Sequence, residues 1–375
     1  MPIIKFLCSF NRQGSNTRIK WNSQMVGKFI VLLALILLTI MTRNYIQKML
    51  EPSPRPASTV LGNEAPLCTG NLLDKREHHY AKKADGSYDN SRLITKTGSC
   101  HLTRYTQAEA VGCLDALYDH LTEKSSNKPN LNLLNNSRKR LHIAFVGDSR
   151  IRQQFHNFLK LIPDYDLIFD PNPIPLAFHG DVEVISNLLR LRITFYWQPL
   201  IDDTVVELTR IWATDDETDP PYLLVLSMAV WHMIIQFEGA DQHQLYQKRL
   251  KELAPILDQL ANVSHIIWLN QYPTLEFYGN IGVLNTDIHS EKIHHYNLAI
   301  RRILGGHKKV RIWDSSNPLA EEYVRGCSLS QRVTLTQIAN SFVHCKDFSH
   351  VGYIALSQST QLLFNDICND GKLIR

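Results

Sequence analysis

A serine hydroxyl becomes a useful nucleophile only when a base can take its proton and nearby donors can hold the negative charge that develops. The stretch Leu141-His-Ile-Ala-Phe-Val-Gly-Asp-Ser-Arg-Ile-Arg-Gln-Gln-Phe155 offers a serine in such a setting. Leu141 to Val146 is an apolar run rich in branched and aromatic residues, the profile of a buried strand. Gly147, without a Cβ, permits a sharp change of direction. Asp148 and Ser149 are helix N-cap types, and Ile151, Phe155, Phe158 and Leu159 then recur at helical spacing. Ser149 is therefore predicted at a strand-to-helix turn, at the carboxyl end of a sheet, beside backbone N–H groups able to bind an oxyanion.

The base is sought downstream, in Asp347-Phe-Ser-His350 ahead of the last helical pattern. An Asp and a His so spaced at a helix entrance can project toward one point, and the chain order would be Ser, Asp, His. The other histidines are read as bland: His78, His79, His294 and His295 as solvated, and His232, beside Trp231, as packed at a strand end. No His-x-x-x-His or Cys-x-x-Cys spacing occurs in the chain, so no metal site is expected.

The elements that must carry these residues lie in a chain of 375 residues, 44% hydrophobic, with a net charge of +4. Lys and Arg are scattered, which disfavours a nucleic-acid role. Residues 25–43, around Phe29 to Met41 (FIVLLALILLTIM), are apolar enough to suggest a transmembrane signal anchor. Lys5, Arg12, Arg18, Lys20 and Lys28 precede that core, so residues 1–24 are expected as a cytosolic tail and the rest on the far side. The long basic segment ahead argues against a cleaved signal peptide. Residues 44–66 are Pro-rich and read as a stalk, leaving 67–375 as one folded luminal domain. Beyond Cys8, the cysteines Cys68, Cys100, Cys113, Cys327, Cys345 and Cys368 form an even set split between the two ends of that domain. Disulfides are expected, at least one of them joining the ends. Asn135 and Asn262 head glycosylation sequons.

Within 67–375, residues 67 to 140 look polar and irregular apart from a helix over Tyr105 to Leu121. Arg190 to Gln198 and Val205 to Trp212 alternate like strands, and Tyr222 to Trp231 is a continuous apolar run. Gln242 to Leu260 is amphipathic and helical, His265 to Leu269 a strand, His289 to Leu304 a helix, Val310 to Trp313 a strand, and His350 to Ile367 a final helix. Strands alternating with helices predict an α/β layered fold around a mostly parallel sheet.

The Gly-Asp-Ser turn and the late Asp-x-x-His resemble the SGNH (GDSL-type) hydrolase superfamily and its PC-esterase branch. More narrowly, Phe145 to Phe155, Phe195-Tyr-Trp-Gln-Pro199, Ile211-Trp-Ala-Thr-Asp215, Met228-Ala-Val-Trp231 and Tyr246 to Leu260 resemble the luminal domain of the sialic acid 9-O-acetyltransferases. The resemblance spans roughly Cys100 to Cys368. It implies a three-layer sandwich, here expected to follow the single transmembrane helix read from residues 25–43. It also implies an acetyl-Ser149 intermediate, with His350 as general base then acid and Asp347 orienting it. The oxyanion hole would draw on Ser149, Gly180 and Ser227. Arg150, Arg152 and Trp231 become candidate substrate-binding residues. No bound cofactor is implied. The acyl donor would be acetyl-CoA and the acceptor a sialic acid or CMP-sialic acid. Relatives of this kind continue into a polytopic membrane domain, so a separate membrane protein supplying acetyl groups is a further expectation. The expected location is the Golgi membrane, single-pass, with the catalytic domain luminal. An O-acetylesterase on the same triad, or a non-catalytic glycan-binding protein, stays open.

Overall fold

The computed structural model describes residues 65–74, 76, 78–126, 140–174, 179–214, 218–234, 241–274, 277–278, 283–284, 287–330 and 349–369. A three-stranded antiparallel sheet comes first: β1 (His78–Lys82), β2 (Tyr88–Thr95) and β3 (Gly98–His101). This is structure where the polar sequence suggested irregular chain. Helix α1 (Gln107–Ser126) follows, then β4 (Leu141–Gly147) and α2 (Ser149–Leu159). Next come β5 (Ile168–Asp170), β6 (Val182–Ser186), β7 (Leu191–Trp197), α3 (Asp203–Thr214), β8 (Leu223–Ser227) and α4 (Val230–Ile234). The chain continues with α5 (Gln242–Leu260), β9 (His265–Leu269), the short hairpin β10 (Phe277–Tyr278) and β11 (Val283–Leu284), and α6 (Ser290–Leu304). It closes with β12 (Val310–Trp313), α7 (Asn317–Ser330) and α8 (Tyr353–Cys368).

The central sheet has seven strands in the order β12-β9-β8-β4-β7-β6-β5. From β12 to β7 the pairing is parallel, and β6 and β5 add an antiparallel edge. β4 sits in the middle and is buried along its whole length. Its alternation feeds two cores. Ile143 and Phe145 pack with Phe155 and Phe158 of α2 and with Leu362 and Phe364 of α8. Ala144 and Val146 pack on the opposite face with Leu250, Leu253 and Leu257 of α5 and Ile300 of α6. A strand covered on both faces must be apolar at every position, which is why Leu141 to Val146 reads as a continuous run.

Two expectations are corrected. Val205 to Trp212, whose alternation suggested a strand, lies inside helix α3. Asp202 caps that helix by accepting from the N–H groups of Thr204 (3.0 Å) and Val205 (3.2 Å). Val205, Thr209 and Trp212 form its buried stripe, whereas Ile211, part of the alternating set, is 39% exposed. A short apolar run satisfies both periods, and packing against α5 decided between them. The run from Tyr222 likewise ends as a strand at Ser227 and turns into α4.

The transmembrane part of the expected fold is also corrected: no helix among the described residues is long and apolar enough to cross a membrane. Residues 25–43, on which that expectation fell, lie outside the described residues, as do the tail 1–24 and most of the stalk.

Disulfides Cys68–Cys100 and Cys113–Cys368 are formed, and Cys327 is disulfide-bonded too. Cys113–Cys368 joins α1 to the end of α8, linking the two ends of the domain. Polar contacts reinforce the docking of α8. Asn365 exchanges two hydrogen bonds of 2.7 Å with the backbone of Thr103, and Gln361 exchanges two with that of Tyr105, at 2.6 and 2.8 Å. The buried Asp366 carboxylate accepts from Leu72 N–H at 2.8 Å and pairs with Arg311. Leu72, ahead of the three-stranded sheet, and Thr103 and Tyr105, after it, thus fix the last helix.

Candidate active site

β4 ends at Gly147, where its register pairs it with Trp197 of β7 on one side and Ser227 of β8 on the other. The turn there carries φ +156°. Asp148 then caps α2, its side chain accepting from Arg150 N–H at 2.9 Å. Its carboxyl is fully buried, and desolvation pushes its pKa up. The positive charge of Arg150, the Arg150 N–H and His350 pull the other way. Ser149, the first residue of α2, is half-buried and so reachable from solvent.

His350 arrives from 201 positions away, on the segment entering α8. Its Nε2 stands 2.7 Å from Ser149 Oγ. Its Nδ1 is 3.0 Å from the hydroxyl of its neighbour Ser349. In the tautomer that lets the Ser149 hydroxyl donate to Nε2, Nδ1–H donates to Ser349 Oγ. Gly352 fixes the approach of this segment, because a Cβ there would come 2.3 Å from the ring of Tyr323 on α7. Asp347 lies outside the described residues.

The other sequence-derived candidates fall into place unevenly. Arg150 is only 1% exposed. Its Nε donates to the Ser349 carbonyl (3.1 Å), and Nη1 donates to Gln271 Oε1 and the Tyr272 carbonyl, both at 2.9 Å. Ser227 is fully buried and its hydroxyl accepts from Gln271 Nε2 at 2.6 Å. Gly180 lies in the loop before β6, next to His179. Arg152, half-buried, sets its guanidinium 5.4 Å from the centre of the Trp197 ring. Trp231, on α4, meets Trp197 edge-on at 6.0 Å, and His179 stacks on Trp197 at 4.3 Å. Asn262 is exposed just past the end of α5, and Asn135 lies outside the described residues.

Sequence reasoning by residue type overlooked Gln271, Tyr272, Trp197, His179 and Ser349. Trp197 had a signal, since it closes the strand run Arg190 to Gln198. Gln271 and Tyr272 had none, because their relation to Arg150 exists only after β9 pairs beside β8.

A hydroxyl facing an imidazole nitrogen, at a strand-to-helix turn with helix N-terminal N–H groups alongside, suits acyl transfer through serine. No family model matches the chain. It is 24% identical over 307 residues to an N-acetylneuraminate (7)9-O-acetyltransferase of Danio rerio, covering 78% of this chain and 32% of that protein. The similarity is to a sialate O-acetyltransferase. This chain spans about a third of that relative's length. A solved peptidoglycan O-acetylesterase aligns over 70% of this chain and 97% of its own, at 10% identity and a TM-score of 0.37.

Proposed function

We propose that this protein transfers acetyl groups to a hydroxyl of an acidic sugar of the sialic acid class. The observation that carries the reading is the 2.7 Å contact between His350 Nε2 and Ser149 Oγ. The Ser149 proton passes to Nε2 as Oγ attacks the acetyl carbonyl, for which acetyl-CoA is the proposed donor. The tetrahedral oxyanion is held by N–H groups at the start of α2, and collapse expels the donor thiolate, which takes the proton from His350. An acetyl-Ser149 ester remains. The acceptor hydroxyl then gives its proton to His350, attacks the ester and leaves acetylated, returning Ser149 to its starting state. Asp347 is proposed to orient His350 in both halves.

Trp197, which closes β7 beside Gly147, forms an aromatic cluster with Trp231 of α4 and His179 of the loop before β6. With Arg152 beside it, that cluster suits the apolar face and the carboxylate of such a sugar. The disulfides favour an oxidising compartment.

The test is to incubate the protein with acetyl-CoA and CMP-sialic acid and follow acetylated sugar, with Ser149→Ala as control. Fluorophosphonate labelling of the wild type, lost in Ser149→Ala, is expected alongside. Release of acetate with no acetylated sugar would make the protein an O-acetylesterase. Absence of labelling in the wild type would end the serine mechanism.

A further inference from the structure

Arg150 was a candidate substrate anchor by sequence, but a guanidinium 1% exposed cannot meet a dissolved anion. We propose that Arg150 is a positioning residue, the centre of a hydrogen-bonded strut that holds His350 in line with Ser149. The inference rests on the reading of Ser149 and His350 as the reacting pair.

The strut crosses the carboxyl edge of the sheet. Its first end is the Ser349 carbonyl, which accepts from Arg150 Nε at 3.1 Å. That carbonyl belongs to the peptide bonded to His350, so fixing it fixes the root of the imidazole. The other end is built on the loop after β9. Nη1 donates to Gln271 Oε1 and the Tyr272 carbonyl, and the guanidinium carbon lies 4.0 Å from the Tyr272 ring centre. Gln271 is itself immobilised. Its amide Nε2 donates to Ser227 Oγ (2.6 Å), its N–H donates to Asn297 Oδ1 (2.9 Å) and its carbonyl accepts from Asn297 Nδ2 (2.8 Å).

Arg150 follows Ser149 directly in the chain and is rooted in the same rigid helix turn. Nucleophile and strut therefore share one base, while the base residue His350 comes from a distant segment that needs an outside hold. A planar fork with donors pointing two ways can span both ends at once; a lysine ammonium on a flexible stem cannot.

Full-length Arg150→Lys and Gln271→Met are compared with wild type for fluorophosphonate labelling and for kcat and KM on p-nitrophenyl acetate. Loss of alignment is expected to slow labelling and lower kcat on the order of ten- to a hundredfold, with KM within about twofold. The double variant should be no slower than Arg150→Lys alone, because both cut one strut. If Arg150→Lys does not fold, Gln271→Met carries the test, its rate falling while its melting temperature holds. Wild-type rates in the folded variants, or a rise in KM alone, would overturn the strut and leave the serine mechanism standing. An unlabelled wild type would remove both.

Discussion

The backbone carbonyl oxygen of Ser227 occupies the space that a side chain on Gly147 would need: an ideal Cβ at 147 comes 2.2 Å from it and 2.8 Å from Ile151 Cγ1. The two residues are register partners of β4 and β8, and the glycine also carries φ +156°. The close approach lets the chain leave the sheet sharply enough to place Ser149 at its rim.

Gly147→Ala is accordingly expected to cost about 3 kcal/mol from the combined backbone strain and overpacking. Neither the carbonyl of a central strand nor the first turn of α2 can yield cheaply. Chemical denaturation measures it, and a variant within about 0.5 kcal/mol of wild type would show that the turn relaxes freely.

His350→Ala should slow fluorophosphonate labelling on the order of a hundredfold or more, the usual contribution of a positioned base. The side chain is half-buried at a rim, so stability should change little. A labelling rate near wild type would mean that another group takes the Ser149 proton.

Burial of His232 gives the protein an acid-sensitive point. Its ring is 2% exposed, and Nε2 accepts the Ile201 N–H at 2.9 Å, which requires that nitrogen to be unprotonated. Desolvation first, then the charge of Arg249, lowers its pKa from 6.5 to about 4, against a smaller opposing effect of Asp202. Below pH 6.5 the unfolded chain takes a proton that the folded one refuses. Stability should therefore fall as pH drops from 6.5 toward about 4, by roughly 3 kcal/mol in all, and this contribution should level off below. In His232→Gln the fall over that window should be shallower. Equal slopes for the two proteins would exclude this histidine as a source.

Opening the Cys113–Cys368 bridge by paired serine substitutions should destabilise the domain by about 5 kcal/mol on the chain-entropy account, because it closes a loop of 255 residues. The same change on Cys68–Cys100, with a separation of 32, should cost less, about 4 kcal/mol. Melting temperatures of the two variants give the ranking, and the reverse order would show that local docking outweighs loop length.

Much of the site was legible because it is local. Leu141 to Val146, Gly147 and Asp148 name a buried strand, a turn and a cap by residue type alone, and each element needs only its neighbours in the chain to form. The amphipathic runs Gln242 to Leu260 and His289 to Leu304 were readable for the same reason: one periodic face must be buried and the other wetted. The antiparallel sheet of β1 to β3 was not legible, since its polar strands, such as Tyr88–Thr95, show little alternation and become order only by pairing.

What the sequence by itself determined is the local chemistry: a serine at a strand-to-helix turn, a histidine at the entrance to the last helix, and cysteines enough to staple the domain. The tertiary structure decided everything that depends on distance through space. It made Val205 to Trp212 a helix because α5 offered a surface for one stripe of it. It turned Arg150 inward, because the Ser349 and Tyr272 carbonyls and Gln271 wait there as acceptors. It brought His350 to Ser149 across 201 positions, by docking α8 against the sheet face that carries α2. Residue types set which groups can react, but only packing of the whole domain sets which groups meet.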